Sequence, residues 1–278
     1  MLAEPRDANS PAPLWPRSLN AQYEWRELLQ LAVAHPCPQD ELYSHLPDTL
    51  LDLALRCWPR HYKHHTMFKR NFPEAGARWS DPLLASSEML HILRKIRAPG
   101  LTYLDLEFRA DSGDEQLFRH IGSVFPALKG LMIHRYRGSG EEEPPLVNIA
   151  SYLARLQHLE VLMLHLDFAD LPDVDICTRF RRRKPGHRSG GQPQLSDSFA
   201  TLKRAANTLA GLLGPALLYV CLLRPLRRHR QQWVPFHIVR SDGAEAGTGH
   251  AFAEECQTPL FDDFILPHGH KFSIYEDD

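Results

Sequence analysis

Ala98-Pro99-Gly100-Leu101-Thr102-Tyr103-Leu104-Asp105-Leu106 is the stretch on which the reading of the fold turns. Pro99-Gly100 stops any preceding helix, and Leu101, Leu104 and Leu106 then follow the spacing Leu-x-x-Leu-x-Leu. Alternate side chains of an extended chain share a face, so Leu104 and Leu106 point one way and Tyr103, Asp105 and Glu107 the other. Leu101 then anchors the turn that leads in. The same sextet recurs as Leu50, Leu53, Leu55 and as Leu159, Leu162, Leu164, with looser copies at Leu128, Leu131, Ile133 and Leu217, Val220, Leu222. The spacings from Leu101 to Leu128 and on to Leu159 are near one repeat unit, and the two outer spacings are near double.

In a chain that is 43% hydrophobic a loose aliphatic sextet also arises by chance, so the weight falls on what precedes each copy. A helix-like segment and a short turn stand before all five, at residues 22–34, 86–97, 114–124, 146–157 and 198–213. Met89, Leu90, Leu93 and Ile96 make one apolar stripe; Leu117, Phe118, Ile121 and Val124 make the next; Ile149, Tyr152, Leu153 and Leu156 the third. A helix and strand of this size cannot bury their apolar faces alone, so neighbouring units must stack. The expected fold class is α/β: an irregular leucine-rich-repeat-like solenoid with parallel strands on the concave side and helices on the convex side.

The expected organisation is a disordered leader over residues 1–20, a degenerate repeat domain over 21–226, and a C-terminal cap or extra strands over 227–278. The leader is rich in proline and lacks the apolar run of a signal peptide. The double spacings place loop insertions near 58–82, rich in His, Arg and Pro, and near 167–196, which carries Arg181-Arg182-Arg183-Lys184. Beyond residue 226, segments 234–239 and 261–266 read as closing strands, and Glu276-Asp277-Asp278 as a solvated tail.

The 32 basic and 34 acidic side chains leave a formal charge of -2, so no global field draws in nucleic acid or an anionic membrane. The five cysteines, Cys37, Cys57, Cys177, Cys221 and Cys256, are scattered and form no CxxC pair, which points to a cytoplasmic or nuclear compartment rather than a disulfide framework. Residues 205–223 carry no charge, which makes a membrane anchor an alternative reading. Gly214-Pro215 divides that run into a helix-like and a strand-like half, and this disfavours a span.

The residues that would carry chemistry are sparse. His61-Tyr62-Lys63-His64-His65 and His268-Gly269-His270 lack the companion ligands and spacing of a metal site. The basic run around Arg179–Arg188 reads as an exposed insertion, and Glu141-Glu142-Glu143 as a solvated loop. There is no Gly-x-Ser-x-Gly elbow, phosphate loop, His-Glu-x-x-His pair or dinucleotide fingerprint. The expectation is a non-enzyme without cofactor or metal; an unrecognised enzyme stays the remaining alternative.

The irregular repeats, with phrases such as Leu46-Pro47-Asp48-Thr49-Leu50, Ala98 to Leu106 and Leu156 to Leu164, resemble the leucine-rich-repeat portion of fungal F-box-type proteins over roughly residues 20 to 226. The resemblance implies a substrate-recognition module: in that family the F-box docks on the Skp1 adaptor and the repeats present a substrate to a ubiquitin ligase. Here the chain departs from the pattern. Leu46-Pro47 and Cys57-Trp58 imitate the two ends of an F-box but stand too close together to enclose its helices, so a Skp1-type adaptor is expected only if an equivalent of the box exists.

The expected function is therefore a protein-protein interaction scaffold, monomeric on its own, with an unknown protein partner and no specific nucleic acid. Strand alternation names its binding face: Asp52, Arg56, Tyr103, Asp105, Glu107, Met132, His134, Met163, His165, Tyr219 and Cys221. The early rows are charged. Met132, Met163, Cys221 and Leu223 form a softer column suited to an apolar anchor, unless flanking loops fold over it.

Overall fold

The structure, a computed structural model, describes residues 14–15, 25–57, 60–61, 83–168, 171, 195–225, 231–241, 251–256, 265–266 and 270–271. In chain order the elements are β1 (Gln30–Ala34), a 3-10 turn (Glu41–His45), β2 (Asp52–Arg56), β3 (Leu84–Ala85), α1 (Ser86–Leu93), β4 (Tyr103–Arg109) and α2 (Asp114–Val124). Then follow β5 (Gly130–Tyr136), α3 (Leu146–Leu153), β6 (Val161–Leu166), α4 (Leu195–Leu212), β7 (Tyr219–Pro225), β8 (Gln231–Arg240) and β9 (Ala251–Glu255). They form a mixed α/β architecture around one nine-stranded sheet of order β1-β2-β4-β5-β6-β7-β8-β9, with β3 on the end of β4. Every pairing up to β7 is parallel, and the strands follow chain order except that β2 pairs directly with β4 while the short β3 joins the far end of β4; β8 and β9 are antiparallel, and the sheet does not close into a barrel. A separate two-stranded sheet pairs β10 (Ile265–Leu266) with β11 (His270–Lys271).

The sextets set the register. Leu31, Leu53, Leu104, Leu131, Leu162 and Val220 lie in one row across the parallel strands, and Val33, Leu55, Leu106, Ile133, Leu164 and Leu222 in the next. Both rows join one core with Met89 and Leu93 of α1, Leu117 and Ile121 of α2, Ile149 and Leu153 of α3, and Leu202 and Leu209 of α4. Full burial of each such side chain stabilises the fold by about 1.5–3 kcal/mol, which is why the helix stripes and strand rows must face one another.

The backbone repeats as well. The N–H of the first leucine in each of the five sextets, and of Leu28 before them, donates to the carbonyl three residues earlier: Leu28 to Trp25, Leu50 to Pro47, Leu101 to Ala98, Leu128 to Phe125, Leu159 to Leu156 and Leu217 to Gly214, at 2.9 to 3.3 Å. Two successive N–H groups then converge on one carbonyl of the preceding unit. Thr102 and Tyr103 donate to Leu51, Lys129 and Gly130 to Thr102, Glu160 and Val161 to Lys129, and Leu218 and Tyr219 to Glu160. These bonds satisfy the polar backbone of each buried turn.

Residues 22–34, expected to be helical, are the clearest correction. Trp25 to Leu28 form a turn and Gln30–Ala34 is a strand in register with β2. The reason is a sixth sextet, Leu28-x-x-Leu31-x-Val33: its period-two alternation buries Val33 against the core, and Pro36 and Pro38 follow directly. The 3-10 turn stands where the other units have a helix.

Helices were expected at the other four positions and are found there, with α1 and α3 ending at Leu93 and Leu153 and α4 beginning at Leu195. The strand expected over 234–239 lies within β8; of 261–266 only β10 falls among the described residues. Within the expected disordered leader, Trp15 is instead buried: its N–H donates to Asp40 Oδ1 at 3.1 Å and its ring stacks on His45. The uncharged run at 205–223 spans the end of α4, the Gly214-Pro215 turn and most of β7. No helix among the described residues is long and apolar enough to cross a membrane.

Candidate functional site

Alternation along β2, β4, β5, β6 and β7 puts all the expected face residues on the side of the sheet away from the leucine rows. Asp52, Tyr103, Gly130, Val161 and Tyr219 make the first row there, and Asp105, Met132, Met163 and Cys221 the second. Glu107 pairs with His134, and His134 with His165. In the first row Tyr103 lies over the neighbouring strand, where a Cβ on Gly130 would come within 2.7 Å of its ring.

This face is not open. Asp52, Asp105, Glu107, Met132, His134, Met163, His165 and Cys221 are buried, and Arg56, Tyr103 and Tyr219 are half-buried. The column Met132, Met163, Cys221 and Leu223 packs with Val161, Tyr136 and Trp233 into a second, smaller core. As placed, it offers no socket for an apolar anchor, which corrects the expectation of an accessible column. The cover comes partly from β8, whose Trp233 meets the His134 ring edge-on at 5.4 Å, and partly from Arg60 and His61 beyond β2.

Arg60 and His61 bring a buried polar cluster together. Arg60 Nη1 and Nη2 donate to Asp105 Oδ1 and Oδ2 at 3.1 and 2.8 Å, a bidentate grip, while Arg56 Nη1 reaches Oδ2 at 3.2 Å. Arg60 Nη1 also lies 3.7 Å from Glu107 Oε2, and Nη2 lies 3.2 Å from the Met132 sulfur. Glu107 accepts from the backbone N–H of Cys57 and of His61, at 2.9 and 2.8 Å, and from the Tyr136 hydroxyl at 2.9 Å. Beyond Tyr136 stand the His165 and His134 rings, and His165 Nε2 lies 3.3 Å from Asp167 Oδ1, in ion-pair range but poorly aligned for a hydrogen bond.

The electrostatics follow from burial. Loss of water pushes the Glu107 carboxyl above its ordinary range, and Arg60, the His61 N–H and Tyr136 act against that shift. Burial and the Glu107 charge keep Tyr136 a phenol, and burial with Asp105 does the same for Tyr103. Burial raises the Cys221 thiol too, so it stays protonated and unreactive. Among the described residues no cluster of His, Cys, Asp or Glu has the grouping to hold a metal ion. The arrangement is suited to gripping a guanidinium rather than activating a nucleophile.

A second polar feature lies at the carboxyl ends of β4 and β5. A cavity of about 760 Å³ opens between α2 and α3, lined in part by Asp111, Asp114, Arg135, Glu141 and Tyr152. Arg135 is buried and joins Asp114, at 3.0 Å, to Glu141, at 2.6 Å. Glu141 therefore belongs to an ion triad, while Glu142 and Glu143 are exposed as a solvated loop requires. Of the two histidine clusters, His61 is buried against Tyr136 and residues 62–65 and 268–269 lie outside the described residues, as does the basic run 179–188.

Arg60, Tyr136, Trp233 and Arg135 did not stand out in the sequence, and His61 did so only as a candidate metal ligand. Tyr136 is the next alternate position after His134 and was within reach of the same rule; Arg60 sits outside any periodic segment, and Trp233 stands one residue before the strand expected over 234–239, within β8. Compared with known protein families, with curated proteins and with solved structures, the chain matches none.

Proposed function

We propose that the chain is an irregular leucine-rich-repeat-like solenoid serving as a non-catalytic scaffold that binds another protein, in the manner of a substrate-recognition module. One observation carries the reading: the turn recurs with the sextets from Leu28 to Leu217, and a pair of N–H groups converging on the preceding unit opens β2, β4, β5, β6 and β7, which lie side by side in chain order. Units that repeat in this way extend a surface in one direction, and such surfaces serve recognition. The sequestered Cys221 thiol and the self-paired carboxylates favour binding over catalysis.

A photo-reactive residue placed at Tyr219, half-buried at the rim of the strand face, should yield a discrete polypeptide adduct in cells, and the same residue at Arg119 on α2 should not. Adducts at neither position would remove the scaffold reading. The ubiquitin-ligase form of the proposal is tested separately by mixing the purified chain with a purified Skp1-type adaptor. A stable complex supports it; its absence leaves a scaffold without that role.

A further inference from the structure

We propose that Asp105, Glu107, Met132 and Tyr136 form a recognition site for an arginine side chain of a protein partner, a site that Arg60 of the chain itself occupies in this structure. The proposal rests on reading the strand face as the binding face. Asp105 and Glu107 are two residues apart on β4, so they share that face, and both are buried. Two buried carboxylates cannot both stay ionised without a cation between them. The Arg60 guanidinium fills that place, bidentate on Asp105, close to Glu107 and capped by the Met132 sulfur.

The pattern of donors is that of peptide recognition. Among the described residues, every donor to the two carboxylates except the Tyr136 hydroxyl comes from Arg56, Cys57, Arg60 or His61. Two of these donors are backbone N–H groups that any peptide carries, and they flank one guanidinium. A planar fork of N–H donors matches the Asp105 carboxylate where the point charge of a lysine does not. Charge complementarity therefore selects an arginine-bearing segment as the occupant, and Arg60 competes with it as a tethered ligand.

The test uses the full-length chain, its Arg60→Ala variant and a capped Gly-Arg-His-Gly peptide with its Gly-Lys-His-Gly counterpart, titrated calorimetrically. Arg60→Ala should bind the arginine peptide roughly tenfold or more tightly than the lysine peptide and than the wild-type chain does, because the tethered competitor is gone. Adding Asp105→Asn should abolish that binding. Should Arg60→Ala prove too unstable to titrate, methylguanidinium should restore its folding while methylammonium at the same concentration does not.

Equal binding of the two peptides, or no binding by a variant shown to be folded, overturns the proposal, as does equal rescue by the two cations. Pairing of Arg60→Ala with the wild-type chain, seen by sedimentation in place of peptide binding, assigns the site to a second copy and also overturns it. Because the probes are defined peptides and ions, these results are independent of whether the cellular crosslinking finds a partner.

Discussion

Gly122 of α2 lies against Tyr152 of α3 so closely that a Cβ on residue 122 would overlap the Tyr152 carbonyl oxygen. The obstacle is backbone and cannot swing aside. Alanine is favoured over glycine in a helix by about 1 kcal/mol, so on an isolated helix Gly122→Ala would stabilise. In this fold the overpacking cost wins, and Gly122→Ala should lower stability by about 1–3 kcal/mol in urea unfolding. A stabilised variant would mean that α2 and α3 do not stack as described.

The leucine rows make a sharper contrast. Leu131 is essentially inaccessible in the core, whereas Leu218, in the turn before β7, is exposed. Leu131→Ala should cost about 2–5 kcal/mol, the range for a buried leucine that leaves a cavity. Leu218→Ala should stay within about 0.5 kcal/mol of the parent. Urea midpoints of the two variants check both values, and comparable losses would contradict the assignment of faces.

How much of this was legible in the sequence depended on what enforces periodicity. Leu104, Leu131 and Leu162 could be read because each must face a helix stripe, and burial imposes the spacing. β1 was misread because Trp25, Leu28, Leu29 and Leu31 suit a helical stripe as readily as a sextet; Val33 and the prolines after it decide the matter. Alternation placed the strand-face residues on one side of the sheet, and burial of the Met132, Met163, Cys221 and Leu223 column, the alternative to an open face, is what the fold shows. Their cover comes from Trp233 at the start of β8 and from Arg60 and His61, which follow no period and need only a matching charge or shape. Lys at Met132 or Met163 would consequently enter a small core instead of decorating a surface.

The triad at the cavity gives a third prediction. Arg135 holds Asp114 and Glu141 while being only 2% exposed. Arg135→Ala leaves Asp114, whose carboxyl burial already raises, without its cation, and should cost about 3–5 kcal/mol. A triple variant, Arg135→Met with Asp114→Asn and Glu141→Gln, removes the charges together and should recover much of that loss. Thermal unfolding of the single and triple variants distinguishes a charge penalty from simple loss of packing, which the triple variant would leave unrepaired.

The last prediction concerns acid. Burial pushes the Asp111 carboxyl up, but hydrogen bonds from the Ser86 and Ser87 hydroxyls and from the backbone N–H groups of Gly113 and Ser87 outweigh it, so the group titrates below its ordinary value. A carboxyl with a lowered folded-state pKa binds its proton more weakly in the native than in the unfolded chain. Its stabilising contribution is therefore complete above the unfolded value of about 4 and fades as pH falls through the folded one. Asp111→Asn should lower the urea midpoint most near neutral pH, and the gap from the parent should narrow as the pH drops below the carboxylate range. A gap that is constant with pH would show that Asp111 acts by shape alone and that its charge contributes nothing to joining β4 to the start of α1.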